Sequence, residues 1–210
     1  KMFDYATLWN DIGYEILEGN LVEGQKVRLA RTNKSSPEFL ESHSEIDDLI
    51  EFKAFNTEEE QIQYLVDSIK KDIEENELKP EDIMIIHPNA LTARDKFGLA
   101  RYKLYEAGIN SNLAGVTVSP DDFAQDDSVT FTSIFRAKGN EAPMVYVINA
   151  DYCAQGVGLA TKRNILFTAM TRTKAWLRVF GVGSSMQILK DEFEEVKRND
   201  FSLSFIYPTE

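Results

Sequence analysis

Short apolar runs rich in β-branched and aromatic residues alternate along this chain with longer stretches of helical periodicity, and this alternation limits the possible folds more than any other feature. The runs are KVRLAR (26–31), IEFKAF (50–55), DIMIIH (82–87), SNLAG (111–115), SVTFTSIF (128–135), MVYVINAD (144–151) and AWLRVFGVG (175–183). Most are continuously apolar, as strands covered on both faces are. Between them, Thr57 to Asn76 predicts the clearest helix: Thr57 and Glu60 stand at capping-box spacing, and Ile62, Leu65, Val66 and Ile69 make an apolar stripe. Further helices are predicted over about 91–107, 160–173 and 184–197. Strands alternating with helices imply right-handed β-α units, and so an α/β, three-layer domain whose mostly parallel sheet is covered by helices on both faces.

With 210 residues and 43% hydrophobic content, the chain can bury one large core or two small ones, and one domain is expected. Residues 1–25 read as a connection from an upstream domain, 26–200 as the domain and 201–210 as a C-terminal tail. No apolar run approaches the roughly 18 to 20 residues of a membrane-spanning helix. The opening KMFDYATLWNDIGYE has neither signal- nor transit-peptide chemistry, so a cytoplasmic protein is expected. Cys153 is the only cysteine and reads as a buried structural thiol, while His43 and His87 lack metal-ligand spacing. A net charge of -12 weighs against gripping nucleic acid by bulk electrostatics, which needs clustered Lys and Arg. The average conceals an asymmetry: Tyr152 to Lys190 has no Asp or Glu, yet holds Lys162, Arg163, Arg172, Lys174, Arg178 and Lys190. A basic segment in an acidic shell suits a small anion such as a nucleotide phosphate, and equally describes a solvated basic helix and strand.

Two segments carry chemistry. In Val129 to Asp151 a strand ends in the polar, glycine-containing turn RAKGNE (136–141), and a second apolar strand follows. Ligands bind at such strand ends because backbone amides and short side chains point into the crevice. Thr132 and Ser133 bring hydroxyls, and Lys138 and Glu141 bring opposite charges; the ordinary alternative is a solvated surface turn. In Arg163 to Gly181, Ile165, Leu166, Ala169 and Met170 mark a helix, with Arg172 predicted in its last turn. A guanidinium suits a transferring phosphoryl group because its planar fork donates to several oxygens and keeps its charge. The alternative is an arginine that neutralises the helix dipole, worth about 0.3–1 kcal/mol.

Taken as a pair, SIFRAKGNEAPMVYVI and RNILFTAMTRTKAW resemble motifs V and VI of UvrD/Rep-type superfamily 1 helicases, which read approximately T-I-H-x-A-K-G-L-E and Y-V-A-x-T-R-A. LARTNKSSPEFL (29–40) is similar to motif IV, and DIMIIHPN and LYEAGINSNLAG look like the segments between motifs IV and V. The resemblance covers roughly Val27 to Val182 and implies a C-terminal RecA-like motor domain of an ATP-dependent DNA helicase or translocase. It implies that Arg172 reaches the γ-phosphate of ATP bound on the other motor domain. Lys34 takes the place of a second arginine contact; it lacks the bidentate fork, so Arg31 is the alternative. Glu141 is implied to accept from the ribose hydroxyl, with Gly139 allowing close approach. Thr132, Ser133, Arg136 and Phe135, the last at the family's histidine position, are implied to face single-stranded nucleic acid. Phe135 departs from the family pattern, since it can stack on a base for about 1–3 kcal/mol but cannot donate to a phosphate. Asn140 stands where the family has leucine.

No P-loop sequence G-x-x-x-x-G-K-[ST] occurs, so ATP and Mg2+ are expected to be bound mainly by an N-terminal P-loop domain of the same protein. Single-stranded DNA, or RNA, is the other expected partner. UvrD and Rep carry a large helical insertion between motifs IV and V; here only a short stretch separates Gly115 from Val129. Two other readings stay open. One is an ATP-driven switch or defence module with the same interdomain clamp but no unwinding, which Phe135 and the acidic surface favour. The other is a nuclease, suggested by Asp121-Asp122 and Asp126-Asp127, where solvated carboxylates in a turn are the ordinary explanation.

Overall fold

The computed structural model describes residues 6–35, 38–117 and 122–208. In chain order the elements are α1 (Ala6–Asp11), β1 (Tyr14–Glu18), β2 (Lys26–Arg31), α2 (Glu38–His43), α3 (Ile46–Leu49), β3 (Ile50–Phe55), α4 (Glu58–Glu74), β4 (Ile83–His87), α5 (Ala93–Glu106), β5 (Ser111–Leu113), β6 (Val129–Ser133), α6 (Ile134–Ala137), β7 (Ala142–Val147), α7 (Leu159–Met170), β8 (Thr173–Val182), α8 (Gly183–Arg198) and β9 (Leu203–Ile206). The chain divides into two compact units, residues 47–191 and residues 1–46 with 192–210.

In residues 47–191, six strands form one sheet in the order β3-β8-β7-β4-β6-β5, every pair parallel. The expected α/β class with a parallel sheet is what forms. β4, Ile-Met-Ile-Ile-His, is buried along its whole length, and alternation sends its residues to two cores. Ile83 and Ile85 join Ile62, Leu65 and Ile69 of α4 and Phe97 and Leu104 of α5 on one face. Met84 and Ile86 join Ile134 of α6, Leu166 and Ala169 of α7 and Met186 of α8 on the other. Each large apolar side chain buried this way contributes about 1.5–3 kcal/mol.

The predicted Thr57 cap of α4 forms, with the return bond to Glu60 coming from Asn56 and not from Thr57 itself. The Glu60 N–H donates to Thr57 Oγ1 at 3.2 Å, and the Asn56 N–H donates to Glu60 Oε2 at 3.0 Å. On the inner face of α4, Asp72 is buried and accepts from the Tyr146 hydroxyl of β7 and from Asn76 Nδ2. The outer edge of the sheet at β5 is closed by side chains: Arg101 donates to Ser111 O at 3.2 Å, and the Leu113 N–H donates to Thr117 Oγ1 at 2.8 Å.

The other unit holds a three-stranded antiparallel sheet, β1-β2-β9. The predicted strand 26–31 is present, but it pairs antiparallel here and not in the parallel sheet. The reason is in KVRLAR itself, which alternates apolar and polar: Val27 and Leu29 are fully buried beside Tyr207 while Lys26 and Arg31 are exposed. The expected connection over 1–25 holds α1 and β1, and the expected tail holds β9. Gly19, at φ +80, sits in the turn between β1 and β2, where an added Cβ would lie 2.1 Å from Lys26 O. Among the described residues no helix is long and apolar enough to cross a membrane.

Candidate functional site

The two motif-like segments meet where β7 and β8 begin. The Ala142 N–H donates to Arg172 O at 3.0 Å, and Ala142 pairs with Thr173, so Glu141 and Arg172 lie just before the first residues of adjacent strands. The register then shifts, with Met144 opposite Trp176, which places one residue of β7, Pro143, against two of β8, Lys174 and Ala175. Thr173 Oγ1 donates to Trp176 O at 2.8 Å and staples this bulge.

Arg172 lies two residues beyond the end of α7, not in its last turn as expected, because the chain turns sharply there: the Arg172 N–H donates to Ala169 O at 3.1 Å. The guanidinium folds back on the helix end. Nε donates to Thr168 O at 3.1 Å and Nη2 to Thr171 Oγ1 at 3.2 Å. This satisfies a terminal carbonyl and places positive charge at the negative end of the helix dipole. Gly139 has φ +91, a conformation glycine adopts freely, and an added Cβ there would meet no heavy atom within 4 Å, so the space above the turn is open. Asn140 closes the turn, its Nδ2 donating to Arg136 O at 3.2 Å. Glu141 and Lys138 are exposed.

The start of the same segment lies at the opposite edge of the sheet. Ser133 pairs with His87, and the Ile148 N–H, one residue past β7, donates to Ile86 O at 3.0 Å. Ala142 lies six residues before Ile148, so at about 3.3 Å per residue the two ends of the segment are about 20 Å apart along the sheet. Thr132 is buried at 1% exposure and its hydroxyl donates to Ser133 O, whereas Ser133 is half-buried. Phe135 is 72% exposed. The exposed Arg136 lies over the β5 end, where a Cβ on Gly115 would sit 2.0 Å from its Cζ.

Lys34 and Arg31 belong to the other unit. Lys34 sits in a 3-10 turn (Asn33–Ser35), exposed, and with Asp11, Glu15 and Thr32 rims a cavity of about 800 Å³. The acid-free basic segment is not one cluster. Lys162 bonds Gln155 O and stacks its Nζ 4.6 Å from the Tyr152 ring, Arg163 bonds Ala154 O, and Arg178 bonds Asp48 O and Leu49 O. Among the described residues no group of three or more His, Cys, Asp or Glu is placed to hold a metal. Asp121 lies outside the described residues; Asp122, Asp126 and Asp127 are exposed.

One group of polar residues, buried His87 and Gln61 with half-buried Asn149, went unread in the sequence. His87 ends β4, Asn149 follows β7 with φ 52, and Gln61 comes from the first half of α4. His87 Nδ1 accepts from the Asn89 N–H and Gln61 Oε1 accepts from the Asn149 N–H, both at 3.0 Å. Burial lowers the His87 pKa to about 4. The available signal was a histidine closing an otherwise apolar strand.

No curated protein matches the chain. Among solved structures, the C-terminal domain of a possible DNA helicase from Lactobacillus plantarum WCFS1 is similar at 20% identity and a TM-score of 0.46, over 68% of this chain and 78% of that one. Residues 128–180, the stretch from the start of β6 into β8 that holds both motif-like segments, match the family described as UvrD-like helicase C-terminal domain.

Proposed function

We propose that this chain is the C-terminal motor domain of an ATP-dependent, UvrD-like superfamily 1 helicase or translocase, completing an ATP site whose P-loop lies on a separate N-terminal domain. The observation that carries this reading is the joint placement of Glu141 and Arg172 at the starts of adjacent strands, tied by the bond of 3.0 Å from the Ala142 N–H to Arg172 O. Glu141 accepts from the ribose hydroxyl, Gly139 leaves room for the nucleotide, and Arg172 donates to the γ-phosphate as charge builds in the transition state. Drawing Arg172 off Thr168 O gives up a bond worth a net ~1 kcal/mol, less than a charge-assisted, bidentate contact to phosphate returns. Mg2+ and most of the ATP are held by the P-loop domain, with Lys34 or Arg31 as a second phosphate contact.

The segment from Thr132 to Glu141 has the nucleotide at one end and single-stranded DNA or RNA at the other. Ser133, Phe135 and Arg136 face the strand, and buried Thr132 fixes the position of Ser133. Closure on ATP moves one end of a segment whose other end touches the strand, which is how hydrolysis becomes stepping.

In a protein carrying both motor domains, Arg172→Ala is expected to abolish steady-state ATP hydrolysis while equilibrium ATP binding stays within about threefold. Unchanged turnover would remove Arg172 from the site. Strand-stimulated hydrolysis without movement along the strand would favour the switch reading.

A further inference from the structure

A cavity of about 580 Å³ opens where β5 and β6 begin, beside the last turns of α5, and lies wholly within residues 47–191. Two tyrosines of α5, Tyr102 and Tyr105, and two carboxylates ahead of β6, Asp126 and Asp127, line it. None of these belongs to the proposed nucleotide or strand contacts. β4 separates β6 from β7, so at about 4.8 Å per strand the cavity lies about 10 Å from the start of β7, beside which Glu141 and Arg172 stand.

The two tyrosines are three residues apart, on one face of α5, and are 59% and 77% exposed. Rings left in water in this way are characteristic of surfaces that meet a partner. The charge around them is of one sign. Glu81 accepts from the Asp127 N–H at 3.2 Å, and Glu106 accepts from the Tyr102 hydroxyl at 2.7 Å, which brings four carboxylates to the cavity. Among the described residues none of the four enters an ion pair. The cations of this part of α5 are committed elsewhere. Arg101, which lines the cavity, donates Nε to Ser111 Oγ and Nη2 to Ser111 O, both at 3.2 Å, and Lys103 Nζ donates to Gln63 Oε1 of α4 at 2.6 Å. The chain therefore supplies carboxylates and aromatic faces here but no counter-ion. A guanidinium answers both at once, because its plane stacks on a ring while its fork of N–H groups pairs with carboxylate oxygens. An ammonium answers only as a point charge.

We propose that this cavity docks an arginine side chain presented by a basic segment of a partner protein. Tyr102 and Tyr105 hold the plane of the guanidinium, and Asp126 and Asp127 accept from its N–H groups. Glu81 and Glu106 add to the field that draws the basic segment in.

Fluorescence anisotropy of a labelled peptide, Gly-Arg-Gly-Arg-Gly, on the 210-residue chain at low salt tests the assignment. Tyr102→Ala with Tyr105→Ala, which leaves the net charge unchanged, should weaken binding about three- to tenfold, and Tyr102→Phe with Tyr105→Phe, which keeps both aromatic faces, should retain it. Asp126→Asn with Asp127→Asn should weaken it at least as much. Glu59→Gln with Asp95→Asn, an equal loss of charge at exposed positions that do not line the cavity, should cost less than about twofold. A lysine peptide should bind about threefold or more weakly, and a citrulline peptide, which keeps the shape of arginine without its charge, should not bind. Binding that ignores the tyrosine pair, or that falls equally with the two acid pairs, is held by net charge alone and would overturn the cavity as the docking site. A lysine peptide that binds as tightly would overturn the guanidinium assignment, and free arginine that competes on equal terms would overturn the peptide as occupant. No binding at low salt would overturn the proposal outright.

Discussion

Arg172 folded onto Thr168 O is the conformation a charged fork takes when the nearest acceptors are carbonyls of its own helix. Side chains within the core are fixed in a different way. Cys153 is fully buried, and burial pushes its thiol up to about 11 against the partial pull of Lys162 and Arg163. It is expected to stay unmodified by a thiol-specific reagent at pH 8 until denaturant is added, since the thiolate is the reactive form. His87 has the opposite consequence for acid. Its folded pKa of about 4 lies below the ordinary 6.5, so the unfolded chain takes up more protons between those values. Stability from this group is present above pH 6.5 and lost as pH falls towards 4, by about 3 kcal/mol in all. Urea midpoints measured from pH 7 to pH 4 should fall, and His87→Gln should flatten that fall.

At the scale of elements, what the sequence discloses depends on how locally each feature is determined. The α4 cap was legible because Thr57 accepts from the Glu60 N–H within one turn, and β4 because a fully buried strand needs an unbroken apolar run. The separate sheet was harder: the alternation in KVRLAR marks a strand with one wet face, but its partners, β1 and β9, lie at opposite ends of the chain. At the candidate site, the residue types of 132–141 and Arg172 could be read, but not the crossing between sheet edges, which the parallel register of β4 with β6 and β7 decides. The cluster of Gln61, His87 and Asn149 comes from three distant segments and has no sequence spacing to find. Two contacts between elements are open to direct test. A Cβ on Gly181 of β8 would sit 2.8 Å from Asp151 N and from Met186 Sδ, so Gly181→Ala should cost about 1–3 kcal/mol by chemical denaturation. Tyr146→Phe leaves the buried Asp72 without its hydroxyl donor and should cost a similar ~1–3 kcal/mol.

For the molecule as a whole, the residues of the proposed site are divided between the two units. The family match falls on residues 128–180, which lie within the larger unit, while Lys34 and Arg31 lie in the other. The larger unit ends its sheet at β5, where Arg101 and Thr117 occupy backbone groups that another strand could otherwise pair with. The connection from β5 to β6 leaves from that closed margin. Lengthening it adds only loop entropy, about 0.6 kcal/mol for each doubling, so ten Gly/Ser residues inserted between positions 117 and 122 should shift the urea midpoint little. The margin is thus a place where evolution can graft new sequence, even a folded module, without altering how the central strands pair or where Arg172 emerges.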